Sequence, residues 1–307
     1  MNFLDDKTWT LLQEGRTKGV FQLESNLGKS WSKKVNPCSI EELSALIAII
    51  RPGCLNAMFD GKSMSQHFVD RKSGKDETKF LHPSLEPILK QTYGVLVYQE
   101  QAMRIAQELA GFDLIEADDL RKAIGKKKAD LMALIKVKFI AGCKETKIVS
   151  EDEGAEIFGW IEKSARYSFN KSHSVSYAFN SFTSAYYKAN YPIEFFVSYL
   201  RHAKDSPKPH QEVYELVSDA KMHGINSSMC KIDNHVEDYS RSGDNILFGV
   251  KSVKGMGNIV GTQTCQALID GPAELGKDLK KMTWLEILLY IASKCSKTGF
   301  EPLCSVG

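Results

Sequence analysis

The sequence predicts a mainly α-helical protein, in which a large helical domain is followed by a smaller segment that mixes helices and strands. Two observations support this prediction. Helix-capping signals, and apolar residues spaced three or four apart, recur through the first two hundred residues. After residue 204 the apolar pattern becomes shorter and more broken, which is typical of short strands and turns. We therefore expect three parts, at residues 1–203, 204–250 and 251–307.

Four helices follow one another in the first part. The first carries Tyr98, Ala102, Ile105 and Leu109 on one face and ends at Gly111. The second begins with a capping box of Asp113 and Glu116 and ends at Gly125. The third stops near Gly142, and the fourth opens with a capping box of Ser150 and Glu153. The apolar faces predicted for the last three helices comprise Leu114, Ala117, Leu120 and Ile124; Leu131, Leu134, Ile135 and Phe139; and Phe158, Ile161 and Ala165.

The later parts of the chain have weaker signals. Residues 204–210 contain two prolines and indicate a connector, and residues 211–223 resemble a helix. Short strands are expected between Ile225 and Val250, with a turn at residues 241–245. Two glycines at 255 and 257 predict a hairpin between apolar runs. A last amphipathic helix surrounds Trp284, Leu288 and Ile291.

Composition excludes several classes of protein. The formal net charge is only +2, from 40 Lys and Arg against 38 Asp and Glu, so the overall charge does not indicate a nucleic-acid or membrane partner. No apolar run is long enough to span a bilayer, and no signal peptide is visible. Seven scattered Cys, with no C-x-x-C pair, favour a reduced cytoplasmic chain with free thiols over a disulfide or zinc framework.

The stretch YSFNKSHSVSYAF, from Tyr167 onwards, places four polar residues before an aromatic-rich helix. Ser172 is the predicted N-cap, and Val175, Phe179, Phe182 and Tyr186 form the apolar face of a helix that ends at Asn190 and Pro192. A helix N-terminus favours an anion, because its backbone N–H groups and its dipole are both positive. The clustered residues would suit a phosphate: Asn170, Lys171, Ser172 and His173. The alternative is that Ser172 merely caps the helix while Lys171 and His173 are solvated.

A second basic cluster lies in DDLRKAIGKKK. Arg121 could bind a phosphate with its planar guanidinium, while Lys122 and the three following lysines supply point charges. The alternative is an ordinary solvated helix end, where lysines complement the dipole. Together the two clusters indicate a polyphosphate or nucleic-acid ligand.

Five motifs occur in an order that resembles the fingers region of the C-family bacterial replicative DNA polymerase, the DNA polymerase III alpha subunit. They are GVFQLES (19–25), RPG (51–53), TYGVLVYQEQAMRIAQELAGF (92–112), ADDLRKAIGKKK (117–128) and FNKSHSVSYA (169–178). FGVKSVKGMG (248–257) resembles the junction into the helix-hairpin-helix region of that family. The first part of the chain would then be a fingers-like domain, and the last a helix-hairpin-helix-like segment.

The resemblance implies a binding site for an incoming deoxynucleoside triphosphate (dNTP). The residues that would line it are Arg121, Lys122, Lys126, Lys127, Asn170, Lys171, Ser172, His173 and Tyr177. The family often has two arginines where this chain has Arg121 and Lys122, and a glycine where this chain has Ser168. Lys122 keeps the charge but loses the bidentate geometry of arginine. Tyr98, Gln99, Glu100 and Gln101, like Gln22 and Glu24, are assigned to structural roles.

DNA contacts are expected in the last part of the chain. Lys254, Gly255 and Gly257 would present a charge and backbone N–H groups to a DNA phosphate, a contact that positions the duplex without reading its sequence. The alternative is a plain tight turn.

The resemblance further implies primer-template DNA as a partner and polymerisation with two Mg²⁺ ions held by palm carboxylates. No Asp-x-Asp on a strand is found, so no catalytic or metal-binding residue is assigned to this chain. We expect a fragment, such as one piece of a split polymerase, that works with a palm-bearing chain in a bacterial cell or a phage-infected host. The sliding clamp and other replisome subunits are further candidate partners. A non-catalytic nucleotide- or DNA-binding regulator of replication, and a decayed gene product, are the alternatives.

Overall fold

The structure is a computed structural model of the 307-residue chain. It describes residues 2–126, 129–164, 167–231 and 234–295. Helices predominate over two small sheets, so the predicted mainly α fold is confirmed.

The helices in chain order are α1 (Asp6–Gln13), α2 (Asn26–Val35), α3 (Ile40–Ile49), α4 (Pro52–Asn56), α5 (Met64–Lys72), α6 (Glu86–Leu89), α7 (Gln99–Ala110), α8 (Leu114–Lys126), α9 (Ala129–Thr146), α10 (Glu151–Ser164), α11 (Lys171–Asn190), α12 (Pro192–His202), α13 (Pro209–Met222), α14 (Asn258–Leu275) and α15 (Trp284–Lys294). The strands are β1 (Met58–Phe59), β2 (Lys62–Ser63), β3 (Asn226–Met229), β4 (Ser240–Ser242) and β5 (Asn245–Phe248).

Contacts within the chain divide it into two units, Met1–Ala189 and Asn190–Gly307. The first unit has two apolar cores. One joins α1, α2, α3, α5 and α11, and the other joins α6, α7, α8, α9 and α10. The three-part division drawn from the sequence stays a prediction.

The local helix signals read from the sequence are largely confirmed. α7 ends at Ala110, and Gly111 follows in the left-handed conformation with φ 65°. Asp113 and Glu116 cap α8 reciprocally, because each backbone N–H donates to the other residue's carboxylate. Ser150 and Glu153 form the same arrangement before α10. These signals succeed because each depends on residues within one turn of each other.

Two glycines were wrongly predicted to end helices. α8 continues through Gly125 to Lys126, and α9 continues through Gly142 to Thr146. A Cβ at position 142 would lie 2.1 Å from the carbonyl oxygen of Ala110, so this glycine allows α9 to pack closely against the end of α7. Gly142 therefore allows two helices to approach each other closely and does not mark the end of α9.

The predicted apolar faces of α8 and α9 each include one error. Leu114 and Leu134 are 74% and 70% exposed, whereas Ala117, Leu120 and Phe139 are fully buried. Leu114 is the first residue of α8, directly after the capping residue Asp113, and its side chain does not pack into the core. Ala165, which was placed on the face of α10, lies outside the described residues.

The far end of α11 is fixed by a fully buried lysine. The ammonium group of Lys188 donates hydrogen bonds of 2.8 Å to the carbonyl oxygens of Arg16 and Lys18. Ser181 of α11 donates to the carbonyl of Phe21. α11 is therefore fastened to the loop between α1 and α2, which contains the GVFQLES motif.

The second unit is built from α12, α13 and a three-stranded sheet in the order β3–β5–β4. β5 pairs parallel with β3 and antiparallel with β4. α13 confirms the helix predicted at 211–223, and the turn between β4 and β5 contains Gly243 with φ 61°. α14 and α15 pack against each other in a further small core. No helix among the described residues is both long and apolar enough to cross a membrane.

Candidate nucleotide-binding surface and family

The first turn of α11 is capped by Asn170, not by Ser172 as predicted. The side-chain oxygen of Asn170 accepts a hydrogen bond of 2.8 Å from the backbone N–H of His173. The backbone carbonyl oxygen of Asn170 accepts one of 3.1 Å from the backbone N–H of Ser174. Both Asn and Ser are good N-caps, so local propensity does not separate them. The helix begins at Lys171, two residues earlier than Ser172 would allow.

Glu100, in the first turn of α7, explains why Asn170 takes this role. Its carboxylate accepts the side-chain amide of Asn170 at 3.0 Å and the backbone N–H of Lys171 at 2.9 Å. A carboxylate of the chain itself thus lies at the positive end of the α11 dipole. It satisfies one backbone N–H group that a phosphate ligand could otherwise have used.

A bridge between backbones holds the starts of α7 and α11 together. The N–H of Phe169 donates to the carbonyl of Val97, and the N–H of Gln99 donates to the carbonyl of Phe169. Gln101 accepts the backbone N–H groups of Val97 and Tyr98 at 2.9 Å. The structural role assigned to this part of the YQEQ motif agrees with these contacts.

A chain of buried hydroxyl groups lies beneath the same turn. The hydroxyl of Ser44 on α3 is 3.0 Å from that of Tyr98 and 2.9 Å from that of Ser174, and Ser174 in turn donates to the carbonyl of Ser44 at 2.6 Å. Burial raises the pKa of Tyr98 to about 12, so its phenol stays protonated at neutral pH. These contacts fix the first turn of α11 against α3.

One side of α11 carries a continuous row of aromatic rings in edge-on and tilted contact, with Arg51 at one end. The guanidinium carbon of Arg51 lies 3.5 Å from the ring centre of Phe169, and the rings of Phe169 and His173 are 5.4 Å apart. The rings of His173 and Tyr177 are 4.0 Å apart, and that of Tyr177 is 5.0 Å from Phe21. His173 and Phe21 remain exposed. Such a row of π faces is suited to stacking against nucleobases.

Lys171 and Ser172 also lie in the first turn of α11. The Lys171 ammonium lies 5.6 Å from the ring centre of Tyr98, over a cavity of about 550 Å³ that Phe179 and Val175 also line. Ser172 is exposed. Lys171 lines this cavity with Val175 and Phe179, whereas His173 and Tyr177 contact Phe169 and Phe21, so the predicted residues lie on different sides of the first turns of α11.

Arg121 and Lys122 form a second group, at the end of α8. Arg121 donates to one oxygen of Asp118 at 2.8 Å, and the ammonium of Lys122 lies 2.9 Å from the other oxygen and 3.1 Å from Asp119. Lys122 and then Arg121 lower the pKa of Asp118 by hydrogen bonding to its carboxylate. Two carboxylates thus offset two cations. The side chain of Lys126 is not among the described ones, and Lys127 lies outside the described residues.

In the second unit, the predicted DNA-contacting residues lie in an exposed loop before α14. Lys254 and Gly255 are exposed, and Gly255 has φ 90°, a conformation that favours glycine. Gly257 is the N-cap of α14, and a Cβ there would meet no atom within 4 Å. A single 3₁₀ turn, Val250–Ser252, stands before this loop where a helix-hairpin-helix element would have its first helix.

Sequence reasoning did not select Glu100, Arg51 or Phe169 as site residues. All three lie within quoted motifs, YQEQ, RPG and FNKSH. The position of Glu100 in the first turn of a helix is the one local signal it gives. Acidic residues are common at that position because they complement the helix dipole, so the signal does not mark a site. The contact of Glu100 with Asn170 joins residues 70 positions apart, which no local pattern reveals.

Metal ligands are not grouped in the described part of the chain: no cluster of three or more His, Cys, Asp or Glu side chains is placed to hold an ion there. Asp118 and Asp119, the carboxylates beside the predicted triphosphate ligands, are held in ion pairs. They do not fit a Mg²⁺ site, which needs oxygens directed at the ion.

Comparison with known proteins identifies the region. Residues 1–147 match the family model of the bacterial DNA polymerase III alpha subunit finger domain. The chain is 44% identical over 276 residues to the DNA polymerase III subunit alpha of Aquifex aeolicus, covering 88% of this chain and 23% of that protein. It is 41% identical to the Caulobacter vibrioides subunit (83% of this chain, 21% of that protein) and 37% identical to that of Escherichia coli K12 (82% and 22%).

The chain thus spans about a fifth of the length of these curated relatives. The family-model match includes four of the five motifs quoted above, and FNKSHSVSYA with the start of α11 lies after it. The resemblance drawn from the sequence is confirmed: residues 1–147 match the finger domain, and most of the chain is homologous to the bacterial DNA polymerase III alpha subunits.

Proposed function

We propose that the chain serves as the fingers of a replicative DNA polymerase and holds an incoming dNTP against primer-template DNA. The observation that carries this proposal is the organised first turn of α11. This turn follows the residues that match polymerase fingers, and it presents Lys171 beside Tyr98 on one side of the helix and His173 beside Phe169 and Tyr177 on another. A triphosphate needs cations and donors, and a base needs a π face.

Side chains would do most of this binding. Glu100 and Asn170 already accept the backbone N–H groups of Lys171, His173 and Ser174. The phosphates would therefore meet the ammonium of Lys171, the hydroxyl of Ser172 and the imidazole of His173. The faces of His173 and Tyr177 would lie beside the base or the templating strand.

The topology supports a contribution from α8. Only three residues, Gly111–Asp113, link α7 to α8, and the two helices share one apolar core. A link this short makes α8 turn back along α7, which carries Arg121 and Lys122 towards the end of α7 that holds Glu100. A bound triphosphate would replace Asp118 as the partner of Arg121.

The catalytic carboxylates and their Mg²⁺ ions would come with a palm-bearing polypeptide, in the bacterial cytoplasm. The metal ligands are assigned to the palm because the palm holds the metals in this family. Primer-template DNA would also contact the loop of Lys254, Gly255 and Gly257 through its phosphates. That contact would weaken with salt, with a slope of log affinity near −0.9 per neutralised phosphate.

Primer extension by the chain mixed with the palm polypeptide of a related polymerase tests the proposal. We expect Arg121→Ala and Lys171→Ala each to raise the KM for dNTP about tenfold, because each removes a charge-assisted hydrogen bond. Their affinity for DNA should change far less. Lys7→Ala, at an exposed residue of α1, is the matched control.

Unchanged KM in both variants would remove these residues from the site. Robust extension by the 307-residue chain alone would contradict the need for a palm partner. Nucleotide binding that no palm polypeptide converts into extension would instead identify a non-catalytic regulator.

A further inference from the structure

A large cavity lies on the first unit, lined by none of the residues assigned to the nucleotide surface. Its volume is about 890 Å³, within the range of pockets that bind small molecules. Its walls come from α5, residues 79–81, residues 94–96 and α10. The floor is apolar and buried, formed by Met64, Leu85, Leu89, Val95 and Leu96.

Arg71 gives this cavity an unmet positive charge. Its guanidinium is half-buried and donates to the carbonyl of Tyr93 at 3.2 Å. In the part of the chain that the structure describes, no carboxylate is ion-paired with it. Burial lowers the pKa of Arg71, and Asp76 and Asp60 act on it only at longer range. A cation withdrawn from water without an anionic partner is costly.

Neighbouring cations of the same region are satisfied, which sets Arg71 apart. Lys72 lies 2.8 Å from Glu42, and Lys62 lies 2.8 Å from Asp70 and 2.6 Å from Asp76. The carboxylates of Glu42, Asp70 and Asp76 are thus engaged with these lysines, while Asp60 acts on Arg71 only at longer range. Because no described carboxylate forms a direct ion pair with Arg71, the guanidinium is left available for a bound anion.

The remaining polar groups strengthen the positive side of the cavity. Lys79 and Lys163 also line it, against the carboxylates Asp60 and Glu156. His67 is already bonded to the carbonyl of Phe59 at 2.7 Å. The half-buried indole of Trp160 packs against the second core and borders the opening. Lys79 lies 3.6 Å from Glu77, so Arg71 and Lys163 are the lining cations without an ion pair among the described residues, and above an aliphatic floor they suit a ligand with an anionic head and an apolar body.

We propose that this cavity binds a small organic anion. Its carboxylate, sulfonate or phosphate pairs with Arg71 and Lys163, and its apolar body covers the floor of Leu85, Leu89 and Leu96 beside Trp160. The site is separate from the proposed nucleotide surface. Its wall at Val95 and Leu96 nevertheless continues directly into Val97, the residue bridged to Phe169 at the start of α11.

Titration of the full chain with 1-anilinonaphthalene-8-sulfonate, an aromatic anion, tests this proposal. Calorimetry and fluorescence should report one site. N-phenyl-1-naphthylamine, which has the same rings without the sulfonate, should bind at least about tenfold more weakly, since one charge-assisted contact accounts for that factor. Arg71→Met should weaken sulfonate binding to a similar degree, and Arg71→Lys should restore part of it.

A cavity-filling variant guards against loss of fold. Gly159 lies on α10 and lines the cavity, and a Cβ there would meet no atom within 4 Å. Gly159→Leu should leave the unfolding transition intact and abolish binding, whereas Lys7→Met should bind like the unaltered chain. Equal affinity for the neutral compound, or full binding by both Arg71→Met and Gly159→Leu, would overturn the proposal.

Discussion

The start of α11 and the end of α8 both present cations, yet the two regions are built in different ways. At α11 the supporting contacts come from far along the chain: Glu100 reaches Asn170, and Ser44 reaches Ser174. At α8 the described side-chain contacts of Arg121 and Lys122 are with Asp118 and Asp119, on the same helix. Buried hydroxyl groups and a backbone bridge fix the first region, while exposed ion pairs hold the second.

This difference would allow the proposed nucleotide site to combine a rigid part with an exchangeable one. Long-range, buried contacts orient the α11 residues before any ligand arrives, which reduces the entropy lost on binding. Exposed ion pairs are individually weak, so a triphosphate can replace Asp118 at little cost. Variants that remove one carboxylate from each region should therefore behave differently.

The largest expected effect is at Glu42, which anchors α3, the helix that supports α11 through Ser44. Its half-buried carboxylate accepts hydrogen bonds from Lys72, from the Tyr93 hydroxyl and from the Cys38 N–H. We expect Glu42→Gln to lower the free energy of unfolding by about 2 kcal/mol at pH 7, because Lys72 loses its buried partner. Urea denaturation followed by circular dichroism measures this change.

The effect at Glu42 should depend on pH. Burial alone would raise the pKa of Glu42, but the hydrogen bonds from Lys72, Cys38 and Tyr93 outweigh it and place the pKa below its ordinary value of 4.5. A lowered pKa stabilises the fold above pH 4.5, and this contribution is lost as pH falls through the folded pKa. The gap between Glu42→Gln and the unaltered chain should therefore shrink below pH 4.5. A gap that stays constant down to pH 3.5 would contradict this, and exposed Glu41→Gln is the control.

A smaller effect is expected from Glu100→Gln, which weakens the support of α11 itself. Loss of the negative charge at the helix N-terminus should lower the free energy of unfolding by about 1 kcal/mol. Amide hydrogen exchange at Lys171 and His173 should accelerate. Glu108→Gln is the matched control on the same helix, since the described contact of the Glu108 side chain is an exposed pair with Arg104. Equal behaviour of the two variants would show that Glu100 does not hold the turn.

The smallest effect on stability is expected at Asp118 on α8. Its replacement should also lower the KM for dNTP. Asp118→Asn releases Arg121 and Lys122 from an exposed ion pair, so stability should hardly change. The KM for dNTP of the reconstituted polymerase should fall about threefold, because a competing carboxylate is removed. Asp152→Asn, in the first turn of α10, serves as the control. An increase in KM would mean that Asp118 orients the cations instead of competing for them.

The sequence was sufficient for features that depend on neighbouring residues. The capping boxes at Asp113 and Ser150 and the helix end at Gly111 needed only residues within one turn. The family resemblance needed only motif order. The nearness of Asn170, Lys171 and His173 along the chain needed no long-range information either, because consecutive residues lie in the same helical turn.

Features that depend on distant residues were missed. Ser172 lost the capping role to Asn170 because Glu100 selects between two residues of similar propensity. Gly142 was interpreted as a stop signal, although its purpose is contact with Ala110. The contact between Arg51 and Phe169 joins residues 118 positions apart in the sequence, so apolar periodicity could not reveal it.

Lys188 gives α11 a property that follows from its two fastened ends. The helix has 20 residues and is about 30 Å long. Its first turn is bonded to α7 and α3, and its last turn grips the carbonyls of Arg16 and Lys18. Because both ends of α11 are bonded to other elements, the helix is expected to move as one body. A ligand that displaced the first turn would therefore also displace the loop between α1 and α2, about 30 Å away.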